Sequence, residues 1–108
     1  PSLSSDGQML NGNVIYIDHY GNVISNITEK IFKERTIGKS FTIQLPRRYS
    51  IETIHKSYSM VPEGVMLSLF NSAGHLEISI NKGDANIANG ASELLGIKVK
   101  DRIGIEIL

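Results

Sequence analysis

The sequence predicts an all-β domain, a small antiparallel Greek-key barrel of six or seven strands with one or two short helices. Apolar residues recur at every second position in several short runs, as in β-strands that bury one face. Clusters of Gly, Pro, Asn, Asp and Ser separate these runs about every eight to twelve residues, a spacing typical of small barrels and sandwiches. The 108 residues suffice for one domain with one core.

The first predicted hairpin contains a strongly polar turn. Gly12–Asp18 alternates and carries apolar residues on both faces, as a barrel strand does. Asp18–Asn22 interrupts this strand with turn residues, among which Gly21 can adopt a positive φ. Val23–Ile27 then resumes as a short strand.

The middle of the chain predicts a helix and two strands. Thr28 is a predicted N-cap for a short helix over Glu29–Glu34. Ser40–Leu45 alternates cleanly, and Pro46 ends that strand. Tyr49–Tyr58 also favours a strand, with a bulge at its centre.

The last third predicts a second hairpin. Val65–Phe70 is almost continuously apolar and fits a strand buried on both sides, and His75–Ile80 is its partner across the turn Asn71–Gly74. The remaining segments are a polar loop, one helical turn closed by Gly96 and a final alternating strand, at Asn81–Gly90, Ala91–Leu95 and Arg102–Leu108.

Composition limits the chemistry and the partners. Lys and Arg together number 11, as do Asp and Glu, so the net charge is zero, and no nucleic-acid partner is expected. The absence of Cys excludes disulfides, thiolate catalysis and Cys-ligated zinc, and it favours a cytoplasmic location. The three His lack the spacing of metal ligands, so no metal site is expected. No apolar run approaches the ~20 residues of a membrane helix, so no membrane partner is expected either.

The chain opens with a polar stretch that has no initiator Met. We interpret residues 1–11 as a linker or lead-in from a missing N-terminal domain, and residues 12–108 as a C-terminal β-barrel domain.

Two polar turns, Asp18–Asn22 and Asn71–Gly74, are predicted to face each other across one ligand site. Asp18 can meet a ligand cation, Asn22 offers the donors and the acceptor that an adenine edge needs, and Tyr20 can stack on a base. Each has an ordinary structural alternative, since Asp18 can cap the amides of its own turn and Asn and Ser are common at hairpin tips. Spacing alone yields no catalytic mechanism.

Two long motifs and the end of the chain resemble one enzyme family. The first motif, at residues 17–27, reads IDHYGNVISNI, and the second, at residues 71–83, reads NSAGHLEISINKG. LLG follows at residues 94–96, before the last strand. The chain is thereby similar to the C-terminal domain of the S-adenosyl-L-methionine (SAM) hydrolases that form adenosine, also called SAM hydroxide adenosyltransferases, which are related to fluorinase and chlorinase. The resemblance runs from Gly12 to Leu108.

The resemblance implies a shared ligand site. In that family an N-terminal α/β domain precedes the barrel, and SAM binds between the N-terminal domain of one subunit and the C-terminal domain of its neighbour in a homotrimer. SAM is the substrate, no other cofactor is implied, and the groups that activate water belong to the N-terminal domain, so no catalytic residue is expected here. The implied substrate-binding residues are Asp18, Tyr20, Asn22, Tyr58, Ser72, Asn81 and Lys82.

The resemblance also implies a role for each residue. Asp18 matches the acid that holds the methionine amino group, and Asn22 matches the amide that reads the adenine edge. Tyr20 matches an aromatic residue beside the ligand, and Tyr58 one that stacks on adenine. The other implied contacts are Ser72 with the methionine end, and the backbone groups of Asn81 and Lys82 with the base.

Some positions depart from the pattern of the halogenases. Ala73 and Ile80 stand where those enzymes have Arg, so no halogenase activity is expected and the partner of the methionine carboxylate is unidentified. The connection at Asp84–Ala91 is longer than in the family.

The predicted function is therefore substrate binding within an enzyme that hydrolyses SAM to adenosine and L-methionine, and the isolated domain is expected to be inactive. The alternative is a non-catalytic β-barrel module that binds an adenine nucleoside or mediates oligomerisation. An oligonucleotide-binding barrel is disfavoured by the zero net charge.

Overall fold

The computed structural model describes residues 1–81 and 90–108 of the chain. Within these ranges there are eight β-strands, two α-helices and two 3-10 turns. The strands are β1 (Ser2–Leu3), β2 (Met9–Ile17), β3 (Val23–Thr28), β4 (Phe41–Gln44), β5 (Ser50–Ile51), β6 (Met66–Phe70), β7 (His75–Ile80) and β8 (Arg102–Ile107). The helices are α1 (Glu29–Thr36) and α2 (Ala91–Leu95), and the 3-10 turns are Pro46–Arg48 and Tyr58–Met60.

The strands form one antiparallel sheet that nearly closes into a barrel. Their order is β5-β4-β8-β2-β3-β7-β6, with β1 paired to β2, so β8 lies between two strands that are distant from it in sequence. The segment after β5 meets β6 at the other edge, where the His55 N–H donates to the Ser68 carbonyl oxygen at 2.7 Å. The predicted all-β antiparallel barrel with one or two short helices is confirmed, although the described residues form eight strands rather than the six or seven predicted.

The core fills the inside of this barrel. Val23 of β3 pairs with Ile78 of β7, and both side chains are fully buried in the core cluster. Phe32 of α1 packs edge-to-face against Phe41 and Phe70, with ring centroids 4.9 and 5.3 Å apart. Helix α1 thus covers the core at the end of the barrel where β3 finishes.

The predicted helix boundaries agree with the structure because they depend on local chemistry. The Thr28 hydroxyl accepts a hydrogen bond from the Ile31 N–H at 3.3 Å, so Thr28 is the N-cap of α1. Helix α2 ends at Gly96, whose φ of 68° is the left-handed conformation that glycine tolerates best. Helix α1 extends to Thr36, two residues beyond the predicted end.

The predicted strand Tyr49–Tyr58 was wrong over most of its length, because only Ser50–Ile51 forms a ladder. Beyond that point, side-chain hydrogen bonds join the segment to β6 in addition to the backbone bond from His55 to Ser68. The Ser68 hydroxyl donates to the Thr53 carbonyl oxygen at 2.5 Å, and the Ser68 N–H donates to His55 Nδ1 at 3.3 Å. Such side-chain bonds compete with a regular ladder, so the segment crosses β6 as an irregular strap.

The first strand of the hairpin begins earlier than predicted. Strand β2 starts at Met9 rather than Gly12, because Met9 pairs with Glu106 of β8. Residues 2–3 also pair with β2 as β1. None of the helices in the described ranges has the length and hydropathy needed to cross a membrane.

Candidate ligand site

A group of buried residues lies outside the core, on the outer face of β3, β6 and β7. Ile24 of β3 and Leu69 of β6 both pair with Glu77 of β7. Their side chains face away from the barrel interior because the adjacent Val23 and Ile78 point into it. We call this group the outer patch. It consists of Ile24, Leu67, Leu69, Glu77 and Ser79, all buried.

The turn Asp18–Asn22 immediately precedes β3 and is organised by hydrogen bonds to the Asp18 carboxylate. Asp18 Oδ1 accepts hydrogen bonds from the Tyr20 N–H and the Asn22 N–H, each at 2.9 Å. Asp18 Oδ2 accepts from Asn22 Nδ2 at 3.0 Å. The structural alternative for Asp18, capping of its own turn, is therefore present. A carboxylate has about four lone-pair positions, and three are occupied, so one position on Oδ2 is left for a ligand.

Asn22 is held in a defined orientation by the same carboxylate. A carboxylate only accepts hydrogen bonds, so the amide nitrogen of Asn22 must face Asp18. The second Nδ2 hydrogen and the Oδ1 atom of Asn22 have no partner among the described residues. One donor and one acceptor side by side is the hydrogen-bonding pattern that matches an adenine edge.

Tyr20 extends from this turn towards solvent. Its side chain is 67% exposed, and its ring lies edge-to-face against His19 with centroids 5.5 Å apart. An exposed ring beside a polar turn suits contact with a flat ligand.

Tyr58 lies over the outer patch. Its hydroxyl donates to Glu77 Oε2 at 2.6 Å, and the Ser79 hydroxyl donates to the same oxygen at 2.6 Å. Burial and the adjacent Glu77 carboxylate raise the pKa of the Tyr58 phenol to about 12, and the Asp18 carboxylate adds to this effect. Tyr58 is therefore bound to Glu77, which pairs with Ile24, two residues after the Asp18–Asn22 turn.

Glu77 is the residue of this region that the sequence did not single out as a ligand-site residue. In an alternating strand an acid between Leu76 and Ile78 is expected to face solvent, yet Glu77 is only 5% exposed. The available signal was the apolar run in the preceding strand, Val65–Phe70, which predicts burial of both faces of this part of the sheet.

Asn81 follows β7 at the same end of the sheet. Its side-chain amide donates to the Val61 carbonyl oxygen at 2.7 Å. Its N–H donates to the Val65 carbonyl oxygen at 3.1 Å, and its carbonyl oxygen accepts from the Gly64 N–H at 2.7 Å. These bonds tie residues 61–65, which lead into β6, to the end of β7. The predicted residue Lys82 and the connection at 84–89 lie outside the described residues.

The second polar turn, Asn71–Gly74, lies at the opposite end of β3. His75 pairs with Thr28 at the finish of β3, and the Glu29 N–H donates to the Gly74 carbonyl oxygen at 2.8 Å. The side-chain oxygen of Asn71 accepts from the N–H groups of Ala73 and His75, each at 3.0 Å, which closes the turn.

The prediction that the turns Asp18–Asn22 and Asn71–Gly74 face each other was therefore wrong for a single chain. β3 has six residues, which span roughly 20 Å, and its antiparallel pairing with β7 puts the two turns at opposite ends. The structure brings Asp18, Tyr20, Asn22, Tyr58 and Asn81 to one end of the sheet, and it places Ser72 at the other.

The start of α2 packs against the backbone of the Asp18–Asn22 turn. The Ser92 N–H donates to the Gly21 carbonyl oxygen at 2.9 Å. A Cβ added to Gly90 would overlap the Tyr20 carbonyl oxygen and lie 2.7 Å from the Gly21 Cα atom. The two backbones approach as closely as glycine allows, so the position of the turn depends on the absence of a side chain at residue 90.

The described residues contain no cluster of three or more His, Cys, Asp or Glu that could bind a metal ion. The polar groups of the site are instead one carboxylate, one oriented amide and two tyrosine rings. These groups suit a ligand with a cationic group and a flat heteroaromatic ring.

Comparison with known proteins identifies solved structures of similar fold and a matching family. An uncharacterised conserved protein from Thermotoga maritima is 28% identical, with a TM-score of 0.72 over 95% of this chain and 37% of its own. A conserved hypothetical protein from Thermus thermophilus is 25% identical, with a TM-score of 0.62 over 100% of this chain and 38% of its own. The chain thus spans less than two-fifths of these solved structures. The SAM hydroxide adenosyltransferase C-terminal domain matches residues 12–104, and the chain belongs to that family.

Proposed function

We propose that the protein containing this domain hydrolyses SAM to adenosine and L-methionine, and that this domain supplies part of the SAM-binding surface. The observation that carries the proposal is the family match over residues 12–104, which includes every residue of the proposed site. The cluster of Asp18, Asn22 and Tyr58 at one end of the sheet supports it.

The groups left unpaired in this cluster suit SAM. The remaining lone pair of Asp18 Oδ2 would accept a hydrogen bond from the methionine ammonium group, a charge-assisted bond. The remaining donor and acceptor of Asn22 would pair with the adenine edge, and Tyr58 would contact the face of the base.

The reaction is a substitution at the ribose C5′ atom. A water oxygen forms a bond to C5′, the C5′–S bond breaks, and its electron pair goes to sulfur, so that neutral methionine leaves. The water loses one proton, and adenosine results. The sulfonium charge disappears in this step, so positioning of water and exclusion of bulk solvent would account for the rate. The groups that position water are proposed to lie in another domain.

We also propose that the N-terminal domain of a neighbouring subunit completes the site in a homotrimer. Two tyrosine rings support this arrangement, because Tyr16 and Tyr20 are 58% and 67% exposed near the proposed ligand. Exposed aromatic side chains are typical of surfaces that another protein surface covers.

The direct test uses the full protein that contains this domain. Incubation with SAM should release adenosine and methionine in equal amounts, as measured by chromatography, and added chloride should give no halogenated nucleoside. Adenosine binding without SAM turnover would support the non-catalytic alternative. The absence of both turnover and binding would reject the proposed function.

Substitutions test which residues of the proposed site bind SAM. Asp18→Ala and Asn22→Ala should each weaken SAM binding roughly tenfold or more, through loss of one hydrogen bond to a charged or oriented group. Asp6→Ala is the matched control, because Asp6 also caps a turn, through the Ser4 hydroxyl and the Gln8 N–H. Ser72→Ala should have no effect if the ligand occupies the Asp18 end alone. Weakened SAM binding in Ser72→Ala would show that assembly brings the Ser72 turn of one subunit to the Asp18 turn of another.

A further inference from the structure

Glu77 is a buried acid outside the barrel core. It is 5% exposed and pairs with the apolar residues Ile24 and Leu69 on the outer face of the sheet. Its Oε2 atom accepts two hydrogen bonds, from the Tyr58 and Ser79 hydroxyls at 2.6 Å each. Its Oε1 atom has no partner among the described residues.

A buried carboxylate at this position costs more free energy than an apolar side chain would. Burial of an acid disfavours folding unless hydrogen bonds compensate, and apolar neighbours favour an apolar side chain. Both hydrogen-bond donors come from hydroxyl groups, and one of them belongs to Tyr58, which lies beside the proposed ligand site. The acid is therefore placed where it binds the Tyr58 hydroxyl directly.

Tyr58 has few other restraints. It begins a single 3-10 turn, whose closing hydrogen bonds are long at 3.3 Å from Met60 to Ser57 and 3.4 Å from Val61 to Tyr58. The side chain is 42% exposed, so packing covers little more than half of it. A short bond from the hydroxyl to a buried carboxylate is thus the strongest restraint on the ring among the contacts of the described residues.

We propose that Glu77 is a positioning residue, which anchors the Tyr58 hydroxyl so that the ring forms a fixed wall of the nucleoside site beside the Asp18 turn. This inference rests on the proposed function, since Tyr58 is taken to contact the base of SAM. Glu77 acts through Tyr58. Fixing the ring before the ligand arrives reduces the conformational entropy that binding must overcome.

The test is a double-mutant cycle on the full protein, with adenosine binding measured by calorimetry and SAM turnover measured by chromatography. Glu77→Gln keeps the size of the side chain but removes its charge, and Tyr58→Phe removes only the anchored hydroxyl. Each should weaken adenosine binding and raise KM roughly three- to tenfold while kcat changes little, because the wall holds ground state and transition state alike. The double variant should be no weaker than the single ones.

Tyr49→Phe is the matched control. Tyr49 is 40% exposed, close to the value for Tyr58, and its hydroxyl has no carboxylate partner among the described residues. This variant should bind adenosine as the unmodified protein does.

A second readout does not require the ligand. The ultraviolet difference spectrum between the unmodified protein and Tyr58→Phe isolates the ionisation of the Tyr58 phenol, and Glu77→Gln should shift that ionisation to lower pH.

If Glu77→Gln and Tyr58→Phe bind adenosine normally, or if their effects add in the double variant, the inference is overturned and the proposed function stands. If the unmodified protein binds neither SAM nor adenosine, the proposed function fails, and the inference fails with it.

Discussion

The Asn22 side-chain amide donates to the Asp18 carboxylate across 3.0 Å, and this bond decides what Asn22 presents outward. Because the carboxylate takes one Nδ2 hydrogen, the other hydrogen and Oδ1 point away from Asp18 as a donor–acceptor pair. One acid therefore both closes the turn and orients the amide that we propose reads adenine.

Asp18→Asn should separate these two roles. The new side chain keeps an oxygen for the Tyr20 and Asn22 N–H groups, but its amide nitrogen would face that of Asn22 and force the Asn22 amide to turn over. We expect a stability loss of about 1 kcal/mol or less, because the turn is retained. Adenosine binding should weaken roughly tenfold. Denaturant unfolding and calorimetry measure the two effects, and equal affinity would contradict the orientation of Asn22. Asp6→Asn is the control.

Asn22→Asp should destabilise the protein in a pH-dependent way. It places a second carboxylate within hydrogen-bond distance of Asp18, and the two like charges repel. The expected loss is about 1–3 kcal/mol at neutral pH, decreasing as the pH falls and one of the two acids binds a proton. Asn71→Asp is a matched control, because the Asn71 oxygen only accepts from two N–H groups, which a carboxylate does equally well. Urea unfolding at two pH values would reveal the difference, and equal losses in both variants would refute it.

Gly90→Ala should displace the Asp18 turn. Gly90 has a φ of −87°, which alanine adopts readily, so the effect would come from the added methyl group alone. That group would overlap the Tyr20 carbonyl oxygen, and overpacking of this kind costs about 1–3 kcal/mol. Gly104→Ala is the control, since its methyl group would meet the flexible end of Met9 at 3.2 Å. Thermal unfolding should separate the two variants, and a Gly90→Ala protein as stable as Gly104→Ala would disprove the close approach.

Tyr58 should make stability fall at alkaline pH. Its phenol has a pKa of about 12 in the folded protein and about 10 when unperturbed, so the unfolded chain loses this proton first. The stabilising effect of the protonated Tyr58 phenol is fully present below pH 10 and is lost as the pH rises towards 12. Tyr58→Phe should therefore flatten the decline of stability between about pH 10 and 12. Unfolding free energies at intervals of pH would measure this, with Tyr49→Phe as control. An unchanged slope in Tyr58→Phe would contradict the anchored phenol.

Much of the candidate site follows from local sequence. The ability of Asp18 to cap its own turn and the need for Gly21 there depend on residues within five positions of each other, and the structure shows both. The same holds for Thr28 as the N-cap of α1 and Gly96 at the end of α2. Short-range hydrogen bonds decide these features, so the sequence alone specifies them.

The environment of Glu77 could not be derived in this way. Its burial depends on the part of the chain that carries Tyr58, whose backbone is bound by Ser68 at Thr53 and by Asn81 at Val61. Those bonds join residues 15 and 20 positions apart, and no local pattern encodes them.

The sequence by itself determined the class of fold, the polar turn at Asp18–Asn22 and the family resemblance. Strand alternation and turn chemistry are properties of neighbouring residues. Only the tertiary structure decided that Ser72 lies at the far end of β3 and that Tyr58 is bound to Glu77. These relations depend on the pairing register of distant strands, which is fixed when the whole barrel packs around one core.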